Sequence, residues 1–219
     1  DEFLSSNELK DRPAPFVAAS LGCYGAYLAN GAEYRGDYNL SFADYKNFYL
    51  SRINVLCEAG AKFFAFETFP RLDEALAVAE IMRDYSDIYY WISFTARDEG
   101  TISDGELFAD CIKALDNFKN LAAVGINCSD PELISPLLEN ARGKTQKPLI
   151  VYPNSGEVFD INCNCWTKGE RCVDFTVASE RWYNLGARVI GGCCRTTPID
   201  IKKISEFRKK LRSTDPQYF

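Results

Sequence analysis

Tyr89-Tyr90-Trp91-Ile92-Ser93-Phe94-Thr95 is a short, nearly continuous apolar run, and Ala122-Ala123-Val124-Gly125-Ile126-Asn127 is another. Between them Leu107, Cys111, Leu115 and Phe118 recur at helical spacing. A run without polar alternation suits a strand covered on both faces, and a period near 3.6 marks a helix with one buried stripe, so the stretch reads strand, helix, parallel strand. The same pattern extends in both directions. Apolar runs at Phe16 to Leu21, Lys62 to Phe66, Leu149 to Tyr152 and Arg188 to Ile190 complete six, and helical stripes at Tyr45, Tyr49, Ile53, Leu56 and at Leu72, Leu76, Ala79, Met82 lie between them. Six consecutive βα units with a parallel sheet is the expectation. Ser103 with Glu106 and Ser129 with Glu132 have capping-box spacing, Pro198 suits the first position of the last helix, and Gly60 and Gly186 close helices.

Six βα units fit either an open doubly wound sheet or part of an eight-unit barrel. No G-x-G-x-x-G or G-x-x-x-x-G-K-[ST] follows any strand, so the phosphate-cradling turns of open nucleotide-binding sheets are missing and a barrel is favoured. Barrels gather their chemistry at the carboxyl ends of strands, which selects Cys23, Glu67, Thr95, Cys128, Tyr152 with Asn154, and Cys193-Cys194.

The 219 residues, 47% hydrophobic and 26% charged, provide one sizeable core, so residues 1–219 read as a single domain. A net charge of -6 with scattered lysines and arginines argues against a nucleic-acid partner and suits a small or cationic ligand. No apolar run is long enough for a membrane span and the first residues are too charged for a signal peptide. Nine cysteines, several alone inside helix or strand patterns, suit reduced thiols in the cytoplasm. With no histidine in the chain, a His base, a Ser-His-Asp triad and a His-rich metal site are excluded, leaving sulfur or carboxylate for any metal.

In a closed barrel Cys128, ending Val-Gly-Ile-Asn-Cys, and Cys193 and Cys194, ending Val-Ile-Gly-Gly-Cys-Cys, face one mouth. Three thiolates with one open position form a catalytic zinc arrangement; the other reading is three buried small hydrophobes. Adjacent cysteines reach one metal only if the chain turns sharply, which Gly191 and Gly192 permit. Glu67 ends an apolar strand, Phe-Phe-Ala-Phe-Glu, and should meet a cation: a substrate ammonium, or an arginine such as Arg71, unless it faces solvent. Cys163, Cys165 and Cys172 read as a solvated loop, since a closed site wants a fourth ligand. Cys57 and Cys111 fall on core stripes, Cys23 is either a mouth residue or part of an ordinary turn, and no C-x-x-C supports a thiol redox protein.

Val-Gly-Ile-Asn-Cys128 together with Gly191-Gly192-Cys193-Cys194-Arg195-Thr196-Thr197-Pro198 resembles the homocysteine S-methyltransferase family. So do Gly25-Ala26-Tyr27-Leu28, Glu33 to Tyr38, Phe66-Glu67-Thr68, Ser93 to Asp98, Ile102 to Gly105 and Val151 to Glu157, in the family's order. The resemblance implies a (β/α)8 TIM barrel, Zn2+ held by Cys128, Cys193 and Cys194, homocysteine sulfur in the open position, and Glu67 on the substrate ammonium. Arg35-Gly36-Asp37-Tyr38 and Tyr152 to Glu157 look like the branch that uses a sulfonium donor, S-methylmethionine or S-adenosylmethionine, to make methionine. The family's first strand has no counterpart here, so roughly the first two βα units are expected to be lacking, and a truncated, non-catalytic zinc-binding barrel is the competing expectation.

Overall fold

A computed structural model describes residues 15–160, 165–167 and 173–214. Six strands form one parallel sheet in chain order: β1 (Ala19–Gly22), β2 (Phe63–Phe69), β3 (Tyr89–Phe94), β4 (Leu121–Asn127), β5 (Leu149–Tyr152) and β8 (Ala187–Ile190). Parallel neighbours need a crossover, which helices supply: α2 (Phe42–Glu58), α3 (Leu72–Ile81), α4 (Phe108–Leu115), α5 (Pro131–Ala141) and α6 (Phe175–Asn184). The short α1 (Tyr24–Tyr27) follows β1, and α7 (Pro198–Thr214) follows β8. A second, antiparallel pair, β6 (Val158–Asp160) and β7 (Cys165–Thr167), lies in the stretch expected to be loop.

The helix stripes account for the core. Tyr45, Tyr49 and Ile53 of α2, Ala75, Val78 and Ala79 of α3, and Cys111, Ile112 and Leu115 of α4 pack with Phe64, Phe66, Ile92, Phe94, Val124 and Ile126 of the central strands. The edge strands differ from the expectation of burial on both faces: Ser20 and the pair Arg188 and Val189 are exposed, because β1 and β8 each have a neighbour on only one side among the described residues. Leu107 departs too. It is the N-cap of α4 and is exposed, one residue before the stripe begins.

Pro198 opens α7, and Gly60 and Gly186 sit just beyond α2 and α6 with φ of 92° and 110°. Neither proposed capping box forms. The Ser103 hydroxyl lies 2.7 Å from Thr95 Oγ1, and Ser129 accepts from Ala96 N and donates to Asn127 O, both at 2.8 Å. Asp130 caps α5 in its place, accepting from Glu132 N. The capping box that does form joins Ser41 and Asp44 at the start of α2.

Candidate metal centre

Strand β4 delivers Cys128. Gly125 is needed three residues earlier, since a Cβ there would run into the Ile150 carbonyl of β5. Beyond the strand the chain bends. Cys128 has φ 49°, its N–H reaches Tyr152 O at 3.2 Å, and Ser129 O accepts from Asn154 N at 3.0 Å, so β4 and β5 stay joined past their last ladder pair.

The end of β8 delivers the other two sulfurs. Gly191 N donates to Val151 O at 2.9 Å, Cys193 N to Pro153 O at 2.8 Å, and Ser155 N to Cys194 O at 3.1 Å, so Gly191 is tied to β5 and the two cysteines to the chain that follows it. The Thr196 N–H and hydroxyl both donate to Cys193 O, at 3.2 and 2.7 Å, closing the turn that lets adjacent cysteines face the same way. Gly192 has to be glycine for this turn, because a Cβ would lie 2.5 Å from Thr196 Oγ1.

The three sulfurs meet. Cys128 Sγ lies 3.4 Å from Cys194 Sγ, Cys193 Sγ 4.0 Å from Cys194 Sγ, and all three fall within 4.8 Å of one another. Zinc–sulfur bonds of about 2.3 Å in a tetrahedron place sulfurs about 3.8 Å apart, so the donor set fits a tetrahedral metal. The cluster favours one thiolate at Cys194, whose pKa is pushed down by hydrogen bonds from the Cys128 and Cys193 thiols, while contact with Cys193 and Cys194 and then burial push Cys128 up. Tyr34 completes the rim, its hydroxyl 3.1 Å from Cys128 Sγ.

Glu67 ends up bonded to neutral groups. Its Oε1 accepts from Ser20 Oγ at 2.5 Å and its Oε2 from Tyr152 OH at 2.9 Å, while Arg71, one of the partners considered from sequence, pairs with Asp73 at 2.9 Å. Tyr152 is a hub: Trp91 Nε1 donates to its hydroxyl at 2.9 Å and Ser93 Oγ lies 2.5 Å away. Burial first, and then the Glu67 charge, hold the Tyr152 pKa well above its ordinary value, so the phenol keeps its proton for Glu67. Asn127, directly before Cys128, is tied to Thr68, directly after Glu67. Its Oδ1 accepts from Thr68 N and its Nδ2 donates to Thr68 Oγ1, both at 2.8 Å.

The family model described as homocysteine S-methyltransferase matches residues 4–208. The chain belongs to the homocysteine S-methyltransferase family. Among relatives in that family, it is 46% identical over 216 residues to homocysteine S-methyltransferase YbgG of Bacillus subtilis, covering 98% of this chain and 68% of the relative. It is 44% identical over 186 residues to homocysteine S-methyltransferase of Escherichia coli, covering 84% of this chain and 60% of that protein. The crystal structure of the E. coli homocysteine methyltransferase MmuM, metallated form, superposes with a TM-score of 0.81 at 38% identity, covering 94% of this chain and 65% of that one. The chain therefore spans roughly two thirds of the length of the family members it matches.

Cys23, Cys57 and Cys111 are outside the cysteine cluster. Cys111 is core, Cys57 half-buried, and Cys23 is the buried N-cap of α1, accepting from Ala26 N at 3.4 Å. Thr95 is buried and bonds Glu33 O at 2.8 Å, acting in packing the 24–38 segment over the strand ends. Cys163 and Cys172 lie outside the described residues, and Cys165, at the start of β7, is disulfide-bonded, where the cysteine pattern suits reduced thiols more than disulfides. Sequence reasoning missed Tyr34, Ser20, Trp91, Ser93 and the Asn127 bridge. Tyr34, Ser93 and Asn127 carried a signal, each standing inside a quoted family block, whereas Ser20 and Trp91 carried none.

Proposed function

We propose that this chain is the homocysteine-binding portion of a zinc-dependent methyltransferase that moves a methyl group from a sulfonium donor, S-methylmethionine or S-adenosylmethionine, to homocysteine, giving methionine. The observation that carries the reading is the convergence of three cysteine sulfurs from two strand ends, in a chain of this family. Cys128, Cys193 and Cys194 would hold the zinc. When bound, the metal supplies thiol activation, favouring the deprotonated homocysteine sulfur at neutral pH without a histidine base.

Glu67 stands two residues before the carboxyl end of β2, toward the same rim as Cys128 just past β4, and supplies a carboxylate for the homocysteine ammonium. Ser20 and Tyr152 fix both of its oxygens, so the anion is aimed before substrate arrives. In the transfer itself, the homocysteine sulfur forms a bond to the methyl carbon as the carbon–sulfur bond of the donor breaks. The electron pair leaves with the donor sulfur, which becomes a neutral thioether. A cationic donor suits a chain of net charge -6.

The parallel order β1 to β5 and then β8, with helices between, supports reading the sheet as part of a (β/α)8 barrel, one homocysteine-binding domain over residues 1–219. A second reading rests on the unpaired outer edges of β1 and β8 among the described residues: the chain by itself binds zinc without transferring methyl groups. Zinc-loaded protein incubated with homocysteine and each sulfonium donor in turn separates the two. Methionine formation that disappears in Cys193→Ser supports the enzyme, whereas stoichiometric zinc with neither methionine nor homocysteine binding favours the second reading.

A further inference from the structure

Asn127 is the last residue of β4, fully buried and directly before Cys128, yet its side chain serves a strand that is not its neighbour. Strand β3 lies between β2 and β4 in the sheet, and the Asn127 amide bridges past it to Thr68. The bridge is possible because the β2–β3 register breaks between Phe66 and Phe69, the stretch that contains Glu67 and Thr68. Thr68 has φ 67° and Cys128 φ 49°. A β-branched residue in the left-handed region is a true outlier, since its side chain crowds the backbone there. Something has to hold it.

An amide is the side chain suited to do so. It offers an acceptor to the Thr68 N–H and a donor to the Thr68 hydroxyl at the same time, both at 2.8 Å, leaving no polar atom of Thr68's strained segment facing Asn127 unpaired. The two residues that the bridge fixes are the neighbours of Glu67 and of Cys128. Strain that persists at a site needs surroundings that over-determine it, and here one buried side chain couples both strained positions.

We propose that Asn127 is a positioning residue: its amide clamps Thr68 in the left-handed conformation and thereby sets Glu67 relative to the cysteine cluster. This rests on the reading of Glu67 as the group that receives the homocysteine ammonium. Without the clamp, Thr68 relaxes to an ordinary conformation, and homocysteine binding has to restore the strained one. The left-handed cost for a residue with a Cβ corresponds to a loss of about five- to thirtyfold in homocysteine affinity.

The test uses Asn127→Leu, close to isosteric and unable to bond, and Thr68→Val, which keeps the backbone bond but removes the hydroxyl partner and serves if Asn127→Leu fails to fold. Homocysteine affinity of the zinc-loaded protein is read by calorimetry, zinc affinity by competition with a chromophoric chelator, and the Thr68 amide by hydrogen exchange. The expected result is faster Thr68 exchange and weaker homocysteine binding in both variants, more so in Asn127→Leu. Adding Thr68→Gly to Asn127→Leu should recover affinity, because glycine adopts φ near +67° without the Cβ cost. A residue that only fills space gives the opposite sign, with the glycine adding its own loss. Thr68 exchange and homocysteine affinity within twofold of wild type in both variants overturns the proposal, as does a glycine substitution that deepens the defect. If wild-type protein binds zinc but no homocysteine, the functional reading fails while unchanged or accelerated Thr68 exchange still decides the clamp.

Discussion

Replacing Gly192 with alanine tests how closely the turn before the two adjacent cysteines is built. The added Cβ would lie 2.5 Å from Thr196 Oγ1 and 2.7 Å from both its Cβ and Cγ2, against the 3.0 Å below which real Cβ contacts are essentially never found. The backbone or Thr196 therefore has to give by about 0.5 Å, which is also about the tolerance within which a functional group must be held. Thr196 cannot swing aside freely, because its hydroxyl and N–H both bond to Cys193 O. Losing the hydroxyl bond costs about 1 kcal/mol and overpacking about 1–3 kcal/mol more. Part of that strain falls on the position of Cys193 and Cys194, so zinc affinity is expected to drop by about tenfold to a hundredfold, the range seen when groups supporting metal ligands are removed. Competition against a chromophoric chelator measures it. The clashing atoms belong to one side chain, so Gly192→Ala combined with Thr196→Gly should regain much of the loss. Affinity within threefold of wild type in Gly192→Ala, or no recovery in the double variant with its fold intact, would refute the steric argument.

In metal-free protein near neutral pH, iodoacetamide should modify Cys194 first, because hydrogen bonds from Cys128 and Cys193 hold its thiolate, while burial and then the Glu74 charge push Cys23 up to about 12. Mass spectrometry of the digested protein reads the order, and equal rates at Cys23 and Cys194 would contradict it. Glu74 is buried and accepts from Tyr24 N and Tyr49 OH, both at 2.6 Å, and from Tyr38 OH; burial still raises its pKa in the folded state. A carboxyl raised on folding binds its proton more tightly in the native state. Its contribution is therefore full below the unfolded pKa of about 4.3 and is lost as pH rises through the folded value. Glu74→Gln should flatten that fall in urea-unfolding stability, and an unchanged pH dependence between about pH 4 and pH 8 would count against the assignment.

The βα alternation and the strand-end rule were readable because both rest on local periodicity. A parallel strand covered on both faces has to be apolar throughout, and β3, β4 and β5 lie where the apolar runs put them. Cys128, Cys193 and Cys194 were legible as a set because each follows such a run, and two glycines before Cys193 announced a turn. The hairpin β6–β7 was not, since three-residue strands carry too little pattern to stand out from a polar loop. Capping residues were misplaced for a related reason. Ser103 and Ser129 have the right spacing, but Thr95 competes for the hydroxyl of Ser103, and Asn127 O together with Ala96 N, 33 positions away, for that of Ser129.

The surroundings of Glu67 were the least legible part. From sequence an unpaired carboxylate ending an apolar strand calls for a cation, and Arg71 stands four residues on. Arg71 is drawn to Asp73 and to Gly36 O, and the partners of Glu67 come from β1 and β5, strands whose register no local pattern fixes. Tyr34 reaches Cys128 across 94 positions of sequence, and the Asn127 bridge to Thr68 spans 59. Such pairings emerge only once the sheet has set the strand order.

X-ray absorption at the zinc edge addresses the metal centre directly, because it counts the sulfurs around the ion. For the zinc-loaded chain we expect three sulfurs at about 2.3 Å with one lighter atom, and four sulfurs once homocysteine is added. Fewer than three sulfurs, or a coordination set that homocysteine leaves unaltered, would contradict the account.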